Sequence, residues 1–260
     1  MGSTILKEVK DHIQIIILNR PEKKNAFNRE MIEAWVKSLQ EAQEDDNVHV
    51  VVVTGAGDAF CSGGDVGGMT PNQTPLDNKN KLWKNIHRVP LTLKTMDKPV
   101  IAAINGPAVG AGLDMALMAD IRFMVDSTKV SEGYVKVGLV PGDGGAYFLP
   151  KIVGEAKAYE LLWTGKFISA DEALRLGLVN HVYPQEEFME KTLEFAKQIA
   201  YGPQIAMRMM KRAVQQSRNM ELEHALDLIS SHYAIIKETE DHKEGVSAFL
   251  NKRKPNFKGR

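Results

Sequence analysis

Two glycine-rich stretches hold the residues most suited to chemistry. One is Phe60-Cys61-Ser62-Gly63-Gly64-Asp65. The other is Asn105-Gly106-Pro107-Ala108-Val109-Gly110-Ala111-Gly112-Leu113-Asp114. Each follows a β-rich apolar run, residues 50–54 and 100–104. Small residues let a ligand reach bare backbone. The second stretch runs into apolar residues 113–119, which have helical character. Two backbone N–H groups aimed at one carbonyl oxygen form an oxyanion hole, and a helix N-terminus adds a positive dipole behind it. That arrangement suits chemistry on a thioester or ester carbonyl. A dinucleotide turn fits less well. Met115 stands where a third glycine belongs, and neither Asp126 nor Glu132 is well placed as the acidic strand end.

Around these loops the chain alternates strand and helix. Residues 5–9 and 13–18 are β-prone runs flanking Lys10-Asp11-His12, which predicts a hairpin. Asn28 is placed to cap a helix whose apolar positions are Met31, Ile32, Trp35, Val36 and Leu39. Residues 48–54 are β-branched apart from His49, the pattern of a strand buried on both faces. Residues 70–80 are polar, with Pro71 and Pro75, and read as a loop. A helix is expected over 81–96, then strands at 100–104 and 121–125. This rhythm predicts an α/β fold with largely parallel pairing. From about Gln185 to Leu250 the chain reads as helical. Apolar residues recur there at Ile205, Met209, Met210 and Ala213, then at Leu222, Leu226, Ile229 and Tyr233. The simplest role for such a tail is to pack on the chain's own core.

Composition narrows the partners. The 33 Lys+Arg balance 33 Asp+Glu, so no strong field points to nucleic acid or a membrane surface. No apolar run is long enough to span a bilayer, and no secretory leader is visible. Cys61 is the sole cysteine, which excludes an internal disulfide and favours a reducing, cytoplasmic setting. No Cys/His cluster has zinc spacing, so no metal is expected.

Further motifs join the two stretches in order. They are Leu18-Asn19-Arg20-Pro21 with Asn25-Ala26, then Pro141-Gly142-Asp143-Gly144-Gly145 and Thr164-Gly165. Ala170, Glu172-Ala173 and Gly177-Leu178-Val179 follow, and Glu244-Gly245, Ala248-Phe249 and Lys252-Arg253 close the set. Together they resemble the enoyl-CoA hydratase/isomerase (crotonase) superfamily from about Ile5 to Lys258. The resemblance implies an α/β fold, a crotonase-like spiral of ββα turns over residues 4–198 that holds an acyl-CoA site. A helical C-terminal region, 199–260, would make a homo-trimer or hexamer. The implied activity is that of a lyase or isomerase of fatty acid metabolism. Coenzyme A would arrive as part of the substrate, with no separate cofactor. The N–H groups of Gly64 and Ala111 would bind the thioester oxygen. Lys23 and Lys24 would lie on a phosphate-facing loop, with Ala26 and Ser62 offering carbonyls to the adenine. Asp65 is grouped with these CoA-binding residues. Phe249 and Lys252 would extend toward a neighbour's CoA.

The pattern breaks at the acid–base positions. Hydratases of this family hold water with two glutamates. The first position is Asp114, three residues past Ala111 and on the same helix face. The second falls on Tyr134, a poor base at neutral pH because a phenol titrates near ~10. Glu132 stands two residues away and is expected at the surface. Asp143, inside the Pro-Gly-x-Gly-Gly turn, is expected to face the pocket. The oxyanion device is complete while the water-holding pair is not. Enolate stabilisation should therefore survive, with Asp114 and Asp143 serving an enoyl- or dienoyl-CoA isomerase or an acyl-CoA hydrolase. A non-catalytic acyl-CoA-binding homologue is the alternative from another class. Gly67, Gly68, Met69, Trp83 and His87 could shape the acyl pocket, with His87 read as an ordinary helix residue.

Overall fold

The computed structural model describes residues 2–65 and 73–260. Its strands, in chain order, are β1 (Ile5–Lys10), β2 (Ile13–Leu18), β3 (Val50–Gly55), β4 (Val100–Ile104), β5 (Ala108–Val109), β6 (Ile121–Val125), β7 (Lys129–Ser131), β8 (Ile168–Ser169) and β9 (His181–Tyr183). The helices are α1 (Arg29–Glu44), α2 (Pro75–Lys81), α3 (Arg88–Thr95), α4 (Ala111–Leu117), α5 (Gly145–Val153), α6 (Glu155–Thr164), α7 (Ala170–Arg175), α8 (Phe188–Ala200), α9 (Gln204–Ser217), α10 (Leu222–Lys237) and α11 (Glu240–Leu250).

β1 and β2 form the expected antiparallel hairpin. Asp11 and His12 both adopt positive φ at its turn, as a tight primed turn requires. β2, β3, β4, β6 and β9 then pair in parallel, giving a sheet ordered β1-β2-β3-β4-β6-β9. Side chains alternate across β3. Val51 and Val53 join the core shared with α1 through Met31, Ile32 and Trp35. Val50 and Val52 join Phe123, Phe188 and Ala196 beneath α8. Both faces are covered, so the central strands read as unbroken apolar runs. Asn28 caps α1 as expected, accepting from the Met31 N–H at 2.9 Å.

A second, three-stranded sheet, β5-β7-β8, escapes detection by periodicity because its strands are two or three residues long. It carries the second glycine stretch. Two sequence expectations need correction. The stretch expected as a loop over 70–80 contains α2, started by a capping box between Thr74 and Asp77, with Pro75 inside its first turn. Residues 81–96 are also not one helix. A π-helical turn, Leu82–Ile86, precedes α3.

The tail is helical throughout. α9 is fastened to the core by Arg208 and Arg212 on the buried Asp97 and by Lys211 on Asp120. Beyond that anchorage, Leu222, Leu226, Ile229 and Tyr233 of α10 stay exposed, so packing on the chain's own core does not account for them.

Candidate active site

The first glycine stretch is held from beneath by Asn25. Its buried amide donates to the carbonyls of Ala56 and Ala59 at 2.9 and 2.8 Å, while its oxygen accepts the Arg20 N–H. Phe27 then pairs alongside. Its N–H donates to the Gly63 carbonyl, and its carbonyl accepts from the Asp65 N–H. These two bonds bracket Gly64, and its own N–H has no backbone acceptor among the described residues. Arg20 braces the edge, donating to the Ala26 carbonyl and to Asp65 at 2.9 Å. The role of Arg20 is invisible in the sequence, because its partners lie 6 and 45 residues away. Cys61 is buried and donates to the Asn25 carbonyl; burial pushes its thiol up to about 12, so it is a packing residue.

The second stretch is pressed onto the first. A Cβ on Gly112 would lie 1.9 Å from the Cys61 carbonyl oxygen, so only glycine allows this approach. The Val109 N–H donates to that same carbonyl. Gly110 turns the chain into α4 with φ +52°. A Cβ on Gly63 would lie 3.7 Å from the Ala111 nitrogen. Gly63, the residue before Gly64, is thus brought against Ala111. The Ala111 N–H opens α4, where a helix leaves its first donors unmatched. Among the described residues, neither N–H donates within the chain.

Behind this pair lies a cluster of acids. Asp114, Glu132 and Asp143 are 0, 2 and 6 % exposed. The Tyr134 hydroxyl lies between two of them, 2.7 Å from Asp114 Oδ2 and 2.9 Å from Asp143 Oδ2. A phenol has one proton to give. One of these contacts therefore requires a proton on a carboxyl, and the pair shares it through Tyr134. Burial raises Asp114 to about 6, against the opposing pull of the Tyr134 hydroxyl, the Gly145 N–H and Glu132. Burial also raises Asp143, with Tyr134 and His87 pulling it back. Burial and the two neighbouring aspartates push the phenol upward, so Tyr134 stays protonated and acts only as a donor or relay.

Glu132 is a correction. It was expected at the surface, yet it is among the most buried acids of the chain. In fact β7 ends at Ser131, and a 3-10 turn, Gly133–Val137, begins just after Glu132 and folds it inward. No motif flags it.

The remaining expected residues fall into two groups. Ser62 donates its N–H to the Lys24 carbonyl and its hydroxyl to the Lys23 carbonyl, so Lys23, Lys24, Ala26, Ser62 and Asp65 form one edge of the site. Lys24 is paired with Asp58, and the Ala26 carbonyl already accepts from Arg20. Phe249 and Lys252 lie elsewhere, at the end of α11, where Phe249 lines an apolar hollow with Ile205, Ile236 and Phe257. His87 sits where the π-turn meets α3, and its Nε2 donates to the Gly142 carbonyl at 2.7 Å, tying that turn to the Asp143 loop. Trp83 packs edge-on against His87 and remains exposed. Gly67, Gly68 and Met69 lie outside the described residues. Among the described residues no group of acids, histidines or cysteines is disposed to hold a metal, and no helix is long and apolar enough to cross a membrane.

A parallel sheet carrying two apposed glycine turns beside a cluster of buried acids is the architecture of the crotonase fold. Comparison with known proteins agrees, and the chain belongs to the enoyl-CoA hydratase/isomerase family, whose profile matches residues 8–260. It is similar to the crotonyl-CoA hydratase of Syntrophomonas wolfei, 33 % identical over 97 % of each chain. It is equally similar to the 1,2-epoxyphenylacetyl-CoA isomerase of Escherichia coli, 34 % identical over the full length of both. Among solved structures, an enoyl-CoA hydratase from Bacillus anthracis superposes with a TM-score of 0.90 at 33 % identity, covering 99 % of this chain and 100 % of the other. The chain is therefore an acyl-CoA enzyme of the hydratase/isomerase type.

Proposed function

We propose that the protein stabilises a thioester enolate between the N–H groups of Gly64 and Ala111 and moves a proton on that enolate with Asp114, Tyr134 and Asp143. Double-bond isomerisation of an enoyl-CoA fits this set best. The observation that carries the reading is Tyr134 bridging two buried aspartates. A pair that shares a proton can take one from a substrate carbon and return it to another. The same pair is ill-suited to fixing an attacking water, because its inward oxygens are already engaged with each other through the phenol. Hydration, as in the S. wolfei relative, is the second reading, and hydrolysis with the same two aspartates a third. Coenzyme A is bound as part of the substrate, at the edge formed by Lys23, Lys24, Ala26 and Ser62. The many apolar side chains left exposed on α9, α10 and α11 favour a homo-trimer or hexamer, residues 199–260 supplying the contacts.

Turnover of a panel of acyl-CoAs tests the activity, with double-bond migration expected to exceed hydration of crotonyl-CoA. Gly64→Pro removes one of the two donors. Each such donor contributes about 3–4 kcal/mol to the transition state, so turnover should fall by two to three orders of magnitude. A folded Gly64→Pro protein with undiminished activity would exclude the oxyanion assignment.

A further inference from the structure

Glu132 has no part in the family's usual pair of acids, yet its geometry ties it to the site. Both Glu132 oxygens are buried, and with the carboxyls written as anions neither has a donor; Asp114 Oδ1 is in the same position. A Cβ built on Gly145 would stand 2.3 Å from Asp114 Oδ1 and 3.0 Å from Glu132 Oε2, so both oxygens lie over that glycine, and the two carboxyls are within hydrogen-bonding reach of each other. Two facing carboxyl oxygens repel unless a proton lies between them, and one proton turns the contact into a hydrogen bond. The charged and titratable groups acting on Glu132 are Asp114 and Asp143, with Tyr134 between those two, while His87 and Cys61 interact with Asp143. No cationic side chain among the described residues acts on Glu132 to hold it as an anion.

We propose that Glu132 is a positioning residue kept in its protonated form, donating to Asp114 Oδ1. The cluster then carries one negative charge. Asp114 holds it, with Tyr134, Glu132 and the Gly145 N–H around it, and Asp143 carries the proton that satisfies its contact with Tyr134. Burial and the neighbouring aspartates raise Glu132 well above an ordinary glutamate, in keeping with this arrangement. Gly145 is part of the device, because any side chain there would fill the space over which the two carboxyls meet. The inference deepens the enolate-forming reading, and only its kinetic test rests on that reading.

Two substitutions separate the roles. Glu132→Leu deletes the donor without adding charge. On the acyl-CoA turned over by the wild type, kcat falls tenfold or more, and the rising limb of the pH profile moves to higher pH. Glu132→Gln keeps the shape and offers Asp114 an amide N–H, so it recovers most of that loss. If Glu132→Gln is as impaired as Glu132→Leu, an ionised carboxylate is required and the proposal fails. The proton itself is counted without substrate, from the unfolding equilibrium against pH. A raised carboxyl contributes stability that is complete below its unfolded value of ~4.3 and is lost as pH rises toward its folded value. Between those two values the wild-type folding constant should fall about tenfold more per pH unit than that of Glu132→Gln. Equal slopes overturn the proposal. Should neither variant fold, the infrared spectrum of the wild type decides: un-ionised carboxyl absorption from two groups, Glu132 and Asp143, is expected at neutral pH, and absorption from one group or none rules the arrangement out. If every acyl-CoA fails while the proton count holds, the proposed activity falls and the Glu132 assignment stands.

Discussion

Tyr134 alters what its neighbours can do. A glutamate at that point would add a fourth carboxyl to three that are already buried, and the phenol instead supplies the donor that lets two aspartates coexist 2.7 and 2.9 Å from one oxygen. Asp114 is the member best placed to act as base, with burial raising it to about 6. A base must be ionised to accept a proton. The kcat/KM profile should therefore rise with pH through about 6 and level off above it. A profile flat from pH 4 to 8 would show that Asp114 is not the titrating base. Asp114→Asn keeps the size and removes the basicity, so kcat should fall by roughly 100-fold or more, the usual contribution of a positioned acid–base group. Tyr134→Phe removes the shared hydroxyl. It should cost roughly 10- to 100-fold in kcat and move the pH limb upward, since Asp114 loses a hydrogen bond that favours its anion.

The elements succeed as scaffold because two short turns meet at one place. Gly112 is the clearest case. The carbonyl it would strike belongs to Cys61, backbone that has no freedom to withdraw. Gly112→Ala should part α4 from the first glycine stretch, destabilising the fold by about 1–3 kcal/mol and lowering kcat more than it raises KM. Thermal unfolding and steady-state kinetics on the same preparation check both. How much of this was legible follows from the range of the interactions. Central strands β2, β3, β4 and β6 announce themselves by apolar runs, and α1 by its cap and its apolar spacing, because those signals are local. The spiral fold came through motif order, as did the meeting of Asp114 and Tyr134, which share a hydrogen bond. β5, β7 and β8 were not legible, being too short to show a period. Nor was α2, whose polar sequence hides a capping box from Thr74 to Asp77. The inward turn of Glu132 depends on where β7 stops and a 3-10 turn starts, a boundary of one residue. Arg20 and Gly145 work through partners far along the chain.

For the whole molecule, the question is what covers the tail. Leu222, Leu226, Ile229 and Tyr233 lie at helical spacing along α10 and all remain exposed, and Phe249 on α11 is 83 % exposed. Apolar stripes of this extent are unusual on a monomer, and the proposed assembly would cover them. Light scattering at micromolar concentration should return a trimer or hexamer; a monomer would contradict the assembly. The same surface bears on substrate binding. Phe249 and Lys252 sit at the end of α11, whereas Lys23, Lys24, Ala26 and Ser62 gather at the edge of the glycine stretches of their own chain. If Lys252 serves the CoA of a neighbour, its charge is useful only against phosphate. Lys252→Ala should then raise KM for CoA thioesters several-fold and leave the corresponding pantetheine thioesters unaffected, because those lack the phosphates of the nucleotide. The loss for CoA esters should shrink as salt is added, since a screened surface cation contributes less to begin with. Equal weakening of both substrates would mean that Lys252 acts by holding the end of α11 in place, and the contact across subunits would have to be sought in another residue.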